Sequence, residues 1–224
     1  LYLDFMAVAL LNRRFERTAR RGGTYLVASA QQEVVSRSAD ATVVQIVPAG
    51  DNWQAALSDV RGVIADALAT APSQADIDRE ANEIANFLQK ELDNERNEPA
   101  ARLADDIVRA VDTGEVVTSP AAQVGMFAAI RKTATPEALL ATTRRIFDGP
   151  VVRLVKVGPP GVEAQAAALA AALATPAVAV ARSEGPAAAT MADLPPLGPP
   201  GQVNETAVIQ GLNARRVTFA NGVT

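Results

Sequence analysis

The chain has 224 residues, almost half of them apolar, with 21 basic and 25 acidic side chains and a net charge of −4. That length suffices for one substantial domain with its own core and a smaller second piece, and the near-balanced charge offers no basic field for nucleic acid or an anionic membrane. Histidine and cysteine are both absent, which excludes disulfides, thiolate or imidazole zinc sites, and Ser/His or Cys/His nucleophile systems within this segment. Alanine dominates the apolar content, which favours helices packed closely through small side chains.

The chain enters an amphipathic pattern at once, with Leu3, Met6, Leu10, Leu11 and Phe15 on one face and no Ser, Thr or Asp cap ahead of Leu1. A helix entered midway is expected. It closes with Arg13, Arg14, Arg17, Arg20 and Arg21 before Gly22-Gly23, cations that suit the negative end of a helix dipole and glycines that suit a C-cap. Tyr25 to Ala30 and Ala41 to Val47 read as strands, with Gln31 to Ser38 joining them or forming a further strand.

From Asp51 the period changes. Trp53, Leu57, Val60, Ile64 and Leu68 predict a helix with one buried face, and Asp51 with Gln54 has capping-box spacing. Pro72-Ser73 separates it from a second helix whose stripe is Ile77, Ala81, Ile84, Leu88 and Leu92. Pro99 opens a third helix through Leu103, Ile107 and Val111, stopped by Gly114. Ser119-Pro120 and Thr135-Pro136 open two more, because proline loses no useful N–H in a first turn. Asp148-Gly149-Pro150 ends the last, and Val151 to Val157 reads as a strand returning to the sheet begun near Tyr25. Beyond Gly158-Pro159-Pro160-Gly161 a small helix and an extended Ala/Pro/Gly-rich linker are expected. Arg216 to Phe219 then alternates like a strand running into Asn221-Gly222, a strong hairpin signal whose return arm does not follow. With the uncapped start, this reads as an internal piece of a longer protein.

Chemistry within the segment finds little support. A serine–lysine dyad would have to use Lys90, Lys132 or Lys156, of which the first two fall on solvated helix faces and the third between apolar strand residues. Glu91, Asp93, Glu95, Glu98, Asp105 and Asp106 lack the alternation and glycine of a calcium loop. With Lys90, Arg96 and Arg102 beside them, they read as a mixed-charge solvated surface. No glycine-rich phosphate cradle precedes a helix. No catalytic residue and no metal ligand is expected, and no substrate-binding residue is assigned. No apolar run approaches the roughly 18–20 residues of a membrane helix, and the charges after Phe5–Leu11 are opposite to a signal peptide. A soluble segment with no export signal of its own is expected, in the periplasm or the cytoplasm.

The order of elements and several words of sequence resemble the pitrilysin/insulinase family of zinc metallopeptidases, which includes the mitochondrial processing peptidases. Leu10-Leu11-Asn12-Arg13-Arg14-Phe15-Glu16-Arg17 followed by Tyr25-Leu26-Val27-Ala28-Ser29-Ala30 is similar to that family's helix-to-strand passage. Ser73 to Arg79 is similar to the opening of its long helix, Thr135 to Phe147 with Val151 to Val157 to its domain ending, and Arg216 to Val223 to the strand that opens a homologous half. The resemblance implies an α+β fold, an antiparallel sheet with helices packed on one face, followed by an Ala/Pro-rich linker. It implies a non-catalytic domain over 1–157, a small helix and linker over 158–213, and the first strand of a following domain over 214–224. The zinc ligands would lie in a preceding domain, and that domain, the following half, a peptide substrate and a possible dimer mate would be the partners. Nucleic acid and a membrane span are not expected. The alternative is a domain of an inactive family member serving as a partner subunit or binding module. The family's substrate-positioning Arg and Tyr are not carried onto Arg20 and Tyr25, which sit too close together; Tyr25 is expected to be a strand residue with its hydroxyl at the surface. A sheet uniting Tyr25–Ala30 with Val151–Val157 would separate this architecture from an unrelated α+β interaction domain.

Overall fold

The computed structural model describes residues 2–35, 39–158, 166–179, 198, 200–212 and 214–224. Among the described residues the helices are α1 (Tyr2–Arg20), α2 (Trp53–Ala69), α3 (Gln74–Asn94), α4 (Ala100–Thr113), α5 (Pro120–Arg131), α6 (Pro136–Ile146) and α7 (Ala166–Ala174). The strands are β1 (Tyr25–Val35), β2 (Ala39–Pro48), β3 (Val203–Ile209) and β4 (Ala214–Phe219). The fold is α+β with antiparallel pairing, as expected, and divides into two compact units, Leu1–Ser183 and Glu184–Thr224.

In the first unit, α1 stops where its glycines stop it. The N–H groups of Arg21 and Gly22 donate to the Thr18 and Ala19 carbonyls at 3.2 and 3.0 Å, and Gly22 takes a φ of 82° that a side chain would strain. A Cβ on Gly23 would sit 3.1 Å from the Thr18 carbonyl oxygen, so the chain can turn this tightly into β1. β1 and β2 form a long hairpin with Ala28 opposite Ile46 and Ala30 opposite Val44. These four side chains share the face that packs on the helices. Residues 31–35 extend β1, and 36–38, expected within the same polar run, lie outside the described residues.

The helix starts follow their caps. Side-chain oxygens of Ser73, Ser119 and Thr135 accept from the backbone N–H of Asp76, Ala122 and Ala138 at 3.1, 3.2 and 3.2 Å. At α2 the cap is Asn52, accepting from Ala55 at 3.0 Å, in place of the expected Asp51 box. The buried stripe of α2 is rotated relative to the sequence reading: Ala56, Leu57, Val60, Val63 and Ala67 face the core, because alanines let the helix approach the sheet closely while bulkier Ile64 sits at the margin. Arg61 donates to the carbonyls of Ala172 and Thr175 at 2.8 and 2.7 Å, a cation on the C-terminal end of α7.

Two apolar clusters make the core, and α1 enters both. Met6, Ala7 and Leu10 pack with Ile77, Ala81, Ile84 and Leu88 of α3, Phe127 of α5 and Leu139 of α6. Val8, Leu11 and Phe15 pack with Tyr25, Ala30 and the α2 stripe. Tyr2 meets Phe127 edge to face at 5.5 Å.

Three expectations are corrected. Val151–Val157 is not a strand, and the sheet of the first unit is β1–β2 alone among the described residues. Valines 151, 152, 155 and 157 are 65–91% exposed. Their spacing places apolar groups on both faces, so a strand here would gain only if covered on both sides, and Pro150 removes a ladder donor at its start. Second, Tyr25 is buried, its hydroxyl donating to the Phe15 carbonyl at 2.9 Å, not facing solvent. Third, the strand at Arg216–Phe219 finds its partner upstream: in the second unit β4 pairs with β3 around Gln210–Leu212, from within the stretch read as linker.

The α1–β1 junction is closed by Asn12, whose carboxamide donates to the Ala30 carbonyl at 3.0 Å and accepts from the Ala30 N–H at 2.7 Å, as a neighbouring strand would. Asn12→Ala leaves both backbone groups of a buried residue without this partner. It is expected to cost about 2 kcal/mol in urea unfolding; a loss near zero would show that water replaces the carboxamide.

Candidate functional site

The richest polar constellation is the arginine face of α1. Its line runs Ala7, Leu10, Leu11, Arg14, so the fourth member points inward with the other three. Arg14 is largely buried and donates to the Asp66 carboxylate of α2 at 2.7 Å and to the Thr70 carbonyl at 2.9 Å. On the α3 side, Arg13 donates through Nε to Glu80 at 2.8 Å and also pairs with Glu83, while Arg17 lies 3.8 Å from Asp76. Arg79 pairs with the same Asp76. Glu80 and Asp76 are both buried, at 4% and 8% exposure, and neither is left uncompensated.

The basic cluster is therefore more than a complement to the dipole of α1. It clamps α1 to α2 and α3. The sequence carried a signal for this: Asp76, Glu80 and Glu83 fall at i, i+4 and i+7 on α3, alongside its apolar stripe, and match Arg13 and Arg17 four apart on α1. Arg20 is exposed and pairs within its own helix with Glu16 at 2.6 Å.

Electrostatics agree with a clamp. Burial alone would raise the Asp76 carboxyl, but hydrogen bonds from Ser73 and Arg79, with the charges of Arg17 and Arg79, outweigh it and hold it below the usual carboxylate range. Burial would lower the Arg13 guanidinium, and Glu80, Glu83 and Glu16 more than restore it. A carboxylate held low by arginines is a poor general base, so Asp76 is placed to hold structure. The small pocket among Ala7, Leu10, Leu11, Arg14, Ala67, Pro72 and Thr143 encloses only about 10 Å³, room for a single water.

The other candidates are dispersed. Lys90 and Lys132 are exposed on the surfaces of α3 and the end of α5, and Lys156 is half-buried in the segment after α6. Glu91 and Glu98 meet Arg102 at 3.0 and 3.5 Å, and Asp106 pairs with Arg109, a mixed-charge surface as expected. Among the described residues no three carboxylates gather as a metal site. With histidine and cysteine absent from the whole chain, the residues present do not fit a protein-bound zinc.

No family model and no curated protein matches the chain. Solved structures do resemble its fold. The periplasmic protease PqqL from Escherichia coli matches 98% of this chain with 25% of its own, at a TM-score of 0.63 and 14% identity. The first half of PqqL matches 63% of this chain with 31% of its own, at 0.58 and 15%. A protein described as a predicted insulinase family protease from Yersinia pestis matches 64% with 31% of its own, at 0.55 and 15%. The chain thus spans less than a third of the length of each, and the likeness at this identity is one of fold.

The clamp makes stability depend on acid. The Asp76 carboxyl titrates lower in the folded chain than in the unfolded one, so its contribution is present above the unfolded value, about 4, and disappears as pH falls through the folded value. Unfolding free energy should fall more steeply between about pH 5 and pH 2 in the wild type than in Asp76→Asn. That variant should already be weaker by about 1–2 kcal/mol at neutral pH through the lost ion pairs and helix-start bond. Parallel acid limbs in the two proteins would remove Asp76 from the clamp.

Proposed function

We propose that the chain is a non-catalytic structural domain of an insulinase-family zinc metalloendopeptidase, lending wall surface to the chamber in which a peptide substrate is held. One observation carries this: nearly the whole chain follows the fold of a quarter of PqqL, both units included. The first-half structure of PqqL follows only 63% of it, which supports a second domain of a first half, a connecting stretch, and the opening of the next half. The zinc and its ligands belong in this reading to a preceding domain. Among the described residues the sheet of the first unit is β1–β2 without Val151–Val157, which speaks for an unrelated domain; the likeness over 98% of the chain outweighs it, since a missing edge strand changes a fold less than a different order of elements does.

The role asked of the chain is shape. A wall built from arginine-clamped helices presents a fixed surface and contributes orientation, while bond chemistry resides elsewhere in the protein. PqqL is periplasmic by description, and a cysteine-free chain is compatible with that compartment. No helix among the described residues is long and apolar enough to cross a membrane.

The purified chain, incubated with a mixture of unstructured peptides and added zinc, is expected to show no cleavage above that of buffer. Chelator-sensitive cleavage by this chain would overturn the non-catalytic assignment. The sequence of the parent protein decides between an active protease and an inactive partner subunit, through the presence or absence of a His-x-x-Glu-His helix.

A further inference from the structure

Helix α7 is nine residues of alanine and leucine, Ala166–Ala174, and none of them is buried. Alanine favours a helix, but isolated helices shorter than about 12–15 residues are marginal in water, so α7 depends on what it packs against. It packs on α2. Leu169, Ala172 and Leu173 are half-buried along one side, at i, i+3 and i+4, and the other six residues are exposed. Apolar contact over so narrow a face is slight.

The end of α7 carries the more specific contact. Thr175 answers the Ala171 carbonyl, donating its N–H at 3.1 Å and its hydroxyl at 3.0 Å. The next carbonyl, that of Ala172, would ordinarily receive the N–H of residue 176, but this is Pro176 and has none. Arg61 of α2 fills the gap: its Nη1 donates to the Ala172 carbonyl at 2.8 Å and to the Thr175 carbonyl at 2.7 Å. A cation there also suits the negative end of the helix dipole. The arginines of the clamp meet carboxylates, whereas these two acceptors are neutral and Thr175 is exposed, so water can take the place of Arg61.

We propose that α7 is a detachable clasp, helical while Arg61 of α2 holds its last turn and unfolded when that hold opens, so that the connection leading to β3 has two lengths. Docked, nine helical residues span about 14 Å; released, they span up to about 30 Å. The change is local. Neither apolar cluster of the first unit contains a residue of α7, so both stay packed when it opens.

The test is amide hydrogen exchange of the whole chain, followed residue by residue by nuclear magnetic resonance. In the wild type the amides of Ala170 to Thr175 are expected to be protected, but at least about a hundredfold less than those of Val60 and Val63 in the buried stripe of α2, because α7 opens without global unfolding. Arg61→Ala should speed exchange at Ala170 to Thr175 by about fivefold or more and leave Val60 and Val63 unchanged. Pro176→Ala restores an N–H for the Ala172 carbonyl, and in that background Arg61→Ala should have a smaller effect. The wild-type comparison needs no variant, so it decides even if Arg61→Ala fails to fold. Wild-type α7 amides protected as strongly as those of α2 or not at all, unchanged α7 exchange in Arg61→Ala, or an undiminished effect of Arg61→Ala beside Pro176→Ala would each overturn the proposal.

Discussion

Helix α1 has to be buried on two sides at once. Met6, Ala7 and Leu10 are taken by the cluster of α3, α5 and α6, and Val8, Leu11 and Phe15 by the cluster of α2 and the hairpin. A helix buried that widely leaves few positions at which a charge can reach water, and the arginines after Leu11 fall partly inside the buried sector. Each such arginine needs a carboxylate brought to it, because an uncompensated buried charge costs far more than the pair returns. The placement of α2 and α3 follows: Asp66 must reach Arg14, and Glu80 and Asp76 must reach Arg13 and Arg17. The clamp adds little net stability beyond an apolar core of the same volume, but it fixes the rotation of three helices about their axes, which aliphatic contacts alone leave looser.

The elements themselves were readable from sequence because their signals are local. Ser73, Ser119, Thr135, Gly22 and Gly114 act on backbone groups within a few residues, and each marks a boundary where expected. What was not readable depends on neighbours distant in sequence. Whether Tyr25 points its hydroxyl at water or at the Phe15 carbonyl is decided by how tightly Gly22-Gly23 folds β1 onto α1. The direction of the α2 stripe is decided by alanines, whose weak hydrophobicity hides their role as the points of closest approach. The partner of β4 lies in a stretch whose surroundings are dominated by Ala, Pro and Gly, and Val203 to Ile209 is interrupted by Asn204 and Glu205, so its alternation is poor.

The candidate site divides along the same line. The chemical exclusions needed only a residue inventory, since a chain without histidine or cysteine cannot assemble the common zinc and nucleophile sites in any geometry. The arginines of α1 could be seen as a group but not as a clamp, because a helix dipole accounts for a basic C-terminal turn equally well. The spacing of acids on α3 held the missing information, and it becomes meaningful only once α1 and α3 are known to lie side by side. A network of this kind holds helices together: the buried Asp76 carboxylate is met by Arg17 and Arg79 and held below the usual carboxylate range, which makes it a poor acceptor for a substrate proton.

Comparison of α3 with α4 shows how far a hydrophobic stripe can be interpreted. Both helices carry aliphatic side chains at helical spacing with carboxylates along one margin. In α3 the stripe is buried, and its margin, Asp76, Glu80 and Glu83, is met by the arginines of α1. In α4 the stripe is exposed, and the arginines of the same helix are turned to carboxylates behind it. Periodicity thus establishes that a face is apolar, while the charges at its margin specify the sign of what can lie against it. For α3 that specification is satisfied by α1 of the same chain.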